Sequence, residues 1–308
     1  MTETAIPATN DQGQTTSFCD RGIAIVDCMT AVSPNGHNIA HIPRQAFRDE
    51  QSLEAYPSGT IVGYLFKGAT AERFESATDI AGVVRSLDTW NIEFAGVTLN
   101  TDEAPQVIDQ LQAHGDRWVF SIRVNPHEGM KEVRALDELV RRYPRVHSAC
   151  FAPHATYPTI PPNSKEYYPL YAKCVELEIP AFVYVGIPGP RVPGWTQDPM
   201  HLDEVCWFFP ELTLIMKHGG EPWADLCVKL MLKWPNLYYS TSGFAPKYYP
   251  KEIIDYANTR GSDKIIYSGY WPIMSFEDLF NQIDNLPLRD HVWSKLFSEN
   301  ARRVLKIR

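Results

Sequence analysis

Eight short apolar segments alternate along the chain with amphipathic segments of helix length, and this alternation restricts the possible folds more than any other feature. Several of the short segments are apolar nearly throughout, which is typical of parallel strands buried on both faces. The helical segments carry apolar stripes, as Ile80, Val83, Val84 and Leu87 do within Asp79–Trp90. The pattern predicts strands at Ile23–Asp27, Glu93–Leu99, Trp118–Val124, Val146–Phe151, Ala181–Gly186, Leu212–Lys217, Leu237–Ser240 and Ile265–Ser268.

The size and order of these segments predict a (β/α)8 TIM barrel. A doubly wound open sheet is the alternative, but no GxGxxG motif follows the first strand. Residues 1–20 are polar and are predicted to be a disordered leader, and residues 21–308 are predicted to form a single barrel domain. Residues 33–74 interrupt the alternation, so we expect a long insertion after strand 1, on the side where barrel loops build an active site.

The charge balance and the lack of long apolar runs exclude several classes of protein. Acidic residues number 37 and basic residues 29, for a formal net charge of −8, which argues against a nucleic-acid partner. The sequence contains no run of about 18 apolar residues, so no membrane-spanning helix is predicted. The polar N-terminal stretch lacks the apolar region of a signal peptide, so a cytoplasmic location is expected.

Three residues near predicted strand ends are candidates for catalysis, because barrel active sites lie at the C-terminal ends of the strands. His218 follows strand 6 and would act as a general acid or base, although a lone histidine is often structural. Asp27 ends strand 1, where it would orient His218, serve as a carboxylate base, or bond a neighbouring loop or strand. Glu221 is predicted to begin a helix with Pro222 at its first position, and it is either a catalytic acid or a favourable helix-terminal charge.

A second group of residues is predicted to contact a substrate. Arg123, at the end of strand 3, suits a bidentate clamp on a carboxylate, although a surface salt bridge is the alternative. His154 lies in the loop after strand 4. Tyr184, Tyr270 and Trp271 are bulky groups at the mouth, where they would line an aromatic pocket or simply fill space.

Four phrases in the second half of the chain carry a family resemblance: LDEVCWFFPELTLIMKHGGEPW, KWPNLYYSTSG, GSDKIIYSGYWP and SENARRVLKI. In this order and spacing they resemble the amidohydrolase superfamily, and specifically the branch that includes aminocarboxymuconate-semialdehyde decarboxylase and resorcylate decarboxylases. The resemblance spans roughly residues 23–307. It implies a barrel fold and either hydrolase or lyase chemistry.

The resemblance also implies a metal site, from which this sequence departs. The family motif after strand 1 is I-D-x-H-x-H, in which two imidazoles hold a divalent cation. Met29 and Ala31 occupy those histidine positions, and neither side chain replaces imidazole. We therefore predict no metal ion and no other cofactor, and we expect Met29 to contact substrate instead.

The remaining metal positions of the family are lost in the same way. The strand 5 histidine aligns with Ile187 or Tyr184. The strand 8 aspartate aligns with Tyr270 or Gly269. Only the strand 6 histidine is present, as His218.

Our first functional hypothesis is a metal-independent hydrolase that cleaves an ester, lactone or related bond of a small carboxylated or cyclic substrate. His218 would be its acid or base, with Asp27 or Glu221 as the partner carboxylate and Arg123 as the anion clamp. The alternative is a non-oxidative decarboxylase or other lyase, in which a protonated histidine or Tyr270 delivers a proton. A catalytically inactive ligand-binding barrel is the third possibility. The expected partners are a small-molecule substrate and a second copy of the chain, as in a homodimer or other homo-oligomer.

Overall fold

A computed structural model describes residues 18–35, 42–55, 65–66 and 69–308. Eight strands form one parallel sheet in sequential order, with every strand hydrogen-bonded to the next along the chain. This arrangement confirms the predicted (β/α)8 barrel. The strands are β1 Ile25–Asp27, β2 Ile92–Asn100, β3 Trp118–Arg123, β4 Val146–Phe151, β5 Ala181–Tyr184, β6 Leu214–Lys217, β7 Leu237–Ser240 and β8 Ile265–Ile266.

Backbone hydrogen bonds between the segments that end β1 and β8 bring the first and last strands together. The amide of Cys28 donates to the carbonyl of Tyr267 at 3.2 Å, and the amide of Tyr270 donates to the carbonyl of Met29 at 3.1 Å. A third bond joins the amide of Ala31 to the carbonyl of Trp271 at 2.7 Å. The residues that follow both strands are therefore held side by side at the mouth of the barrel.

Helices follow the strands in the predicted order. The longest described helix has 13 residues, and no helix in the described ranges is long and apolar enough to cross a membrane. They are α1 Glu50–Glu54, α2 Ala71–Ser76, α3 Ile80–Thr89, α4 Ala104–Gln112, α5 Met130–Arg142, α6 Tyr168–Glu176, α7 His201–Phe208, α8 Ala224–Lys233, α9 Lys251–Ala257, α10 Phe276–Ile283, α11 Asp290–Ser294 and α12 Asn300–Leu305. A π-helical turn, Lys295–Glu299, joins the last two.

Side chains alternate between the barrel interior and the layer under the helices, as strand geometry requires. Phe94, Val119 and Ile215 belong to a buried cluster inside the barrel. Their strand neighbours Phe120 and Leu214 belong to the larger cluster that includes the helices. This alternation also fixes which later residues of each strand point into the barrel, and it therefore decides the composition of the site.

The structure changes the predicted boundary of the leader and describes part of the insertion. Phe18–Arg21 form a short 3-10 helix, and Phe18 is buried with its ring 4.5 Å from that of Phe297, so the predicted leader is too long by three residues. The rest of the leader, 1–17, lies outside the described residues. Within the insertion, Phe66 reaches the mouth of the barrel, where its ring lies 5.7 Å from that of Tyr270.

Candidate active site

A cavity of about 1080 Å³ opens at the C-terminal ends of the strands. Its walls come from the loops after the strands and from the described part of the insertion. Seven residues predicted for the site line it together: Met29, Arg123, His154, Tyr184, His218, Glu221 and Tyr270. The structure therefore brings most of the candidate site residues into one place, although they come from six different strands.

Four rings form a continuous row across this cavity. The Tyr184 ring lies 5.0 Å from the His154 ring on one side and 4.4 Å from the His218 ring on the other. The His218 ring lies 5.0 Å from the ring of Tyr270. Such spacing is typical of packed aromatic groups. A flat ligand in the cavity would therefore contact the faces and edges of these rings.

The backbone places the His218 imidazole in the cavity through an unusual turn. His218 has a positive φ of 69°, and Gly219 and Gly220 continue at 80° and 68°. The His218 amide donates to the Ser242 hydroxyl at 3.1 Å, which fixes the turn to the next strand. Left-handed backbone costs energy in a residue with a side chain, and such outliers cluster at functional sites. The turn directs His218 to the mouth at the point where β6 ends.

Both imidazoles of the row are uncharged at neutral pH. Burial, followed by the charge of Lys217, holds the pKa of His218 well below its ordinary value. Burial lowers the pKa of His154 to about 4, against an opposing effect of Gln197. The Nδ1 atoms of His218 and His154 are buried without a hydrogen-bond partner. A neutral imidazole has one ring nitrogen that can accept a proton or a hydrogen bond.

One cation, Arg123, lies at the floor of the cavity, and a second, Lys217, lies just beneath it. Arg123 is half-buried, and its Nη1 donates to the Asn100 amide oxygen at 3.0 Å while its buried Nε has no partner. Lys217 is the last residue of β6 and is almost completely buried. In the described part of the chain, no carboxylate lies within 4 Å of a nitrogen of either cation. The floor is therefore suited to an anion.

Lys217 is the residue that the sequence reasoning missed. The strand alternation could have indicated it. Ile215 faces the barrel interior, and Lys217, two positions later on the same strand, must face the same way. A charged residue at such a position is rarely placed there by packing alone.

Asp27 takes the second of its predicted roles, a bond to a neighbouring loop, and not the catalytic one. It is fully buried but does not line the cavity, because Val26 faces the interior and the next residue must face away from it. Its Oδ1 accepts the amides of Met29 at 2.9 Å and Gly269 at 2.8 Å. Asp27 thus ties the end of β1 to the segment after β8, and it makes no hydrogen bond to His218.

Two further predictions differ from the structure. Helix α8 begins at Ala224, so Pro222 lies before the helix and not at its first position. Glu221 lines the cavity, but its side chain makes no hydrogen bond to His218. Trp271 does not line the cavity, because its ring is buried against that of Phe276 at 5.4 Å.

The donors at the mouth do not fit a divalent metal ion. In the ranges that the structure describes, no group of three or more His, Cys, Asp or Glu side chains is placed to hold one. The two imidazoles, His154 and His218, are fewer ligands than a zinc site uses. The positive charges of Lys217 and Arg123, which lower the pKa of His218, also oppose a second cation there.

The mouth of the eight-stranded barrel thus combines imidazoles, aromatic rings and an arginine that no described carboxylate pairs. The chain matches the sequence model of the Amidohydrolase family over residues 27–307. It therefore belongs to that family, as the sequence resemblance implied.

Solved structures share the fold at low sequence identity, while no curated protein matches the chain. The 5-carboxyvanillate decarboxylase of Novosphingobium aromaticivorans, with bound manganese, is 16% identical with a TM-score of 0.60, over 91% of this chain and 100% of that one. A manganese-bound dihydroxybenzoic acid decarboxylase of a Polaromonas species is 15% identical with a TM-score of 0.60, over 77% and 90%. The 4-oxalomesaconate hydratase of Rhodopseudomonas palustris is 15% identical with a TM-score of 0.57, over 92% and 95%.

Proposed function

We propose that this protein is a lyase that removes carbon dioxide from a cyclic, hydroxylated carboxylate. The observation that carries the proposal is the position of Arg123, whose guanidinium lies at the floor of a cavity walled by rings and lacks a carboxylate partner among the described residues. A substrate carboxylate would supply the missing negative charge, and a flat ring would stack between the cavity walls.

The comparisons favour this reaction over the hydrolysis that was our first hypothesis. Decarboxylases of aromatic acids recur among the structures that share this fold, and a hydratase, which is also a lyase, stands beside them. The site offers less to a hydrolase, because none of the described carboxylates bonds His218 in the way that activates a histidine base.

A neutral His218 can begin the reaction as a base. It accepts the proton of a ring hydroxyl, and the resulting oxyanion makes the ring carbon that carries the carboxylate electron-rich. The imidazolium then returns the proton to that carbon. The carbon–carbon bond breaks, carbon dioxide leaves, and the bonding electron pair restores the ring. The product oxyanion takes one proton from solvent, so the overall reaction consumes one proton and releases one carbon dioxide.

Carbon dioxide release from a panel of hydroxylated aromatic carboxylates tests this function, with aryl esters and lactones assayed in parallel. Arg123→Gln should lower kcat/KM on the active carboxylate by about 100-fold, because it removes a charged contact to the substrate. Arg117→Gln is the matched control, since Arg117 lies at the other end of the same strand and pairs with Asp88 at 2.7 Å. Turnover of esters alone would overturn the proposal, as would an Arg123→Gln protein with unchanged kcat/KM.

A further inference from the structure

We propose that Lys217 supplies, from beneath the cavity floor, the fixed positive charge that holds the substrate anion and stabilises its ionised hydroxyl, in place of a divalent metal ion. The inference deepens the proposed function and rests on it for the chemical class of the ligand. It assigns Lys217 an electrostatic role exerted through the floor, and not direct contact with the reacting atoms.

The position of the ammonium group supports this role. Lys217 is 1% exposed, and its Nζ lies 3.5 Å from the Thr98 hydroxyl and 5.4 Å from the ring centres of Phe182 and Tyr184. Thr98, Tyr184 and Arg123 line the cavity, whereas Lys217 does not. The charge therefore lies one layer of side chains below a bound ligand. In surroundings this dry, charge interactions are far stronger than they are in water.

The lack of compensation is the second argument. A buried cation is expensive unless it is paired, and proteins usually surround one with carboxylates or carbonyl oxygens. Lys264, which is half-buried at the opposite end of the barrel, donates to the carbonyls of Pro235, of Trp234 at 3.4 Å and of Leu237 at 3.1 Å. Among the described residues, the Nζ of Lys217 has one hydroxyl at 3.5 Å and two ring faces around it, and Asp27 attracts its charge from beyond ion-pair distance. A buried ammonium group without a carboxylate close to it is suited to an anion that binds in the cavity above.

The third argument is the disagreement between the site and the family metal. Relatives in fold carry bound manganese, which adds positive charge to a site. At the mouth described here, Met29 and Ala31 replace two ligands, and the remaining imidazoles stand beside two cations. On this proposal, side chains supply positive charge at the mouth, where those two structures hold a manganese ion.

The test compares Lys217→Met with Lys264→Met in the full-length chain, with a chelator in every buffer. Methionine keeps the length of the lysine stem and removes the charge. Benzoate binding, followed by calorimetry, reports attraction for a carboxylate. The absorbance of bound 4-nitrophenol reports the pH at which a phenol ionises in the site, and a purely structural lysine would not shift that pH. The melting temperature of each variant, compared with that of the wild type, reports how the lysine affects the stability of the fold.

The proposal predicts benzoate binding that the chelator leaves unchanged and that Lys217→Met weakens at least about tenfold. Bound nitrophenol should ionise about one pH unit higher in Lys217→Met than in the wild type. Lys264→Met should leave both values unchanged and should melt at a lower temperature, since it strands backbone carbonyls. Lys217→Met should melt no lower than the wild type, because it removes a buried charge that no described carboxylate pairs within 4 Å.

Three results would overturn the inference: unchanged benzoate affinity and dye ionisation in Lys217→Met, binding that the chelator abolishes and manganese restores, or a wild type that binds neither probe. These outcomes are separable from failure of the proposed function. Absence of carbon dioxide release with intact, lysine-dependent benzoate binding would refute the reaction alone. Full decarboxylation by Lys217→Met would refute the role of the lysine alone.

Discussion

At the scale of single residues, backbone conformation and side-chain chemistry coincide at the mouth of the barrel. His218 and Tyr270 both adopt left-handed φ values, 69° and 70°, which are unusual for residues with side chains, and their rings are neighbours in the cavity wall. Burial beside two cations keeps the His218 imidazole neutral, so it enters the reaction as a base and not as an acid.

His218→Gln should lower kcat by about 100-fold or more, because glutamine cannot take and return a proton. With the pKa of His218 held well below its usual value, kcat of the wild type should not fall between pH 8 and pH 6 through protonation of this residue. Steady-state rates of carbon dioxide release across that range measure both effects. His201→Gln, which alters a histidine bonded to the Trp195 carbonyl, is the control. Near-normal turnover by His218→Gln would remove the residue from the mechanism.

At the scale of elements, hydrophobic periodicity predicts the existence and order of the strands better than their ends. Tight turns shorten two strands relative to the prediction: β5 ends at Tyr184, shortly before Gly186 at φ 96°, and β8 ends at Ile266. Apolar residues continue through such turns, so the sequence pattern cannot show where the hydrogen bonds between neighbouring strands end. The turn after β6 depends instead on glycines, which tolerate positive φ.

Gly219→Ala tests how tightly that turn is packed. A Cβ on Gly219 would lie 2.1 Å from the Phe244 ring, which lines the cavity, so Phe244 must move. Gly22→Ala is the control, because Gly22 has a similar φ of 65° and open space around it. We expect Gly219→Ala to lose about 1–3 kcal/mol more of the free energy of unfolding than the control, through overpacking. Chemical denaturation measures the difference, and equal losses would show that the turn has room.

At the scale of the whole molecule, much of the site could be predicted because closing a barrel brings all strand ends to one mouth. Arg123, His154 and His218 were found in this way. Lys217 was missed and Asp27 was misplaced for one shared reason, which is that position near a strand end does not decide which face a side chain occupies. The strand alternation decides it: Lys217 has the parity of Ile215, whereas Asp27 has the opposite parity to Val26.

Asp27, which joins the first strand to the segment after the last, also gives the stability of the whole barrel a pH dependence. Burial raises its pKa from 3.8 to about 7, against hydrogen bonds from Gly269 and Met29 and the charge of Lys217. A raised carboxyl pKa means that the folded state binds more protons than the unfolded state between these values. The contribution to stability is therefore present below pH 4 and lost as the pH rises to 7 and beyond.

Buried His154 acts in the opposite direction. Its pKa of about 4 means that the unfolded state binds more protons below pH 6.5, so this residue lowers stability as the pH falls. The pH dependence of wild-type stability sums these two trends with those of other shifted groups, His218 among them, and replacing Asp27 isolates its own contribution. Asp27→Asn keeps an oxygen that can accept the amides of Met29 and Gly269 while removing the ionisation.

Relative to the wild type, Asp27→Asn should gain about 4 kcal/mol in the free energy of unfolding between pH 4 and pH 8, because only the wild type must ionise a buried carboxyl. Urea denaturation of both proteins at several pH values measures this difference. His154→Gln should flatten the decline of stability below pH 6.5 and leave the alkaline side unchanged. The difference in the free energy of unfolding between the wild type and Asp27→Asn could instead stay constant across the range. In that case the fold does not hold the carboxyl of Asp27 protonated, and its two amide contacts outweigh the cost of burial.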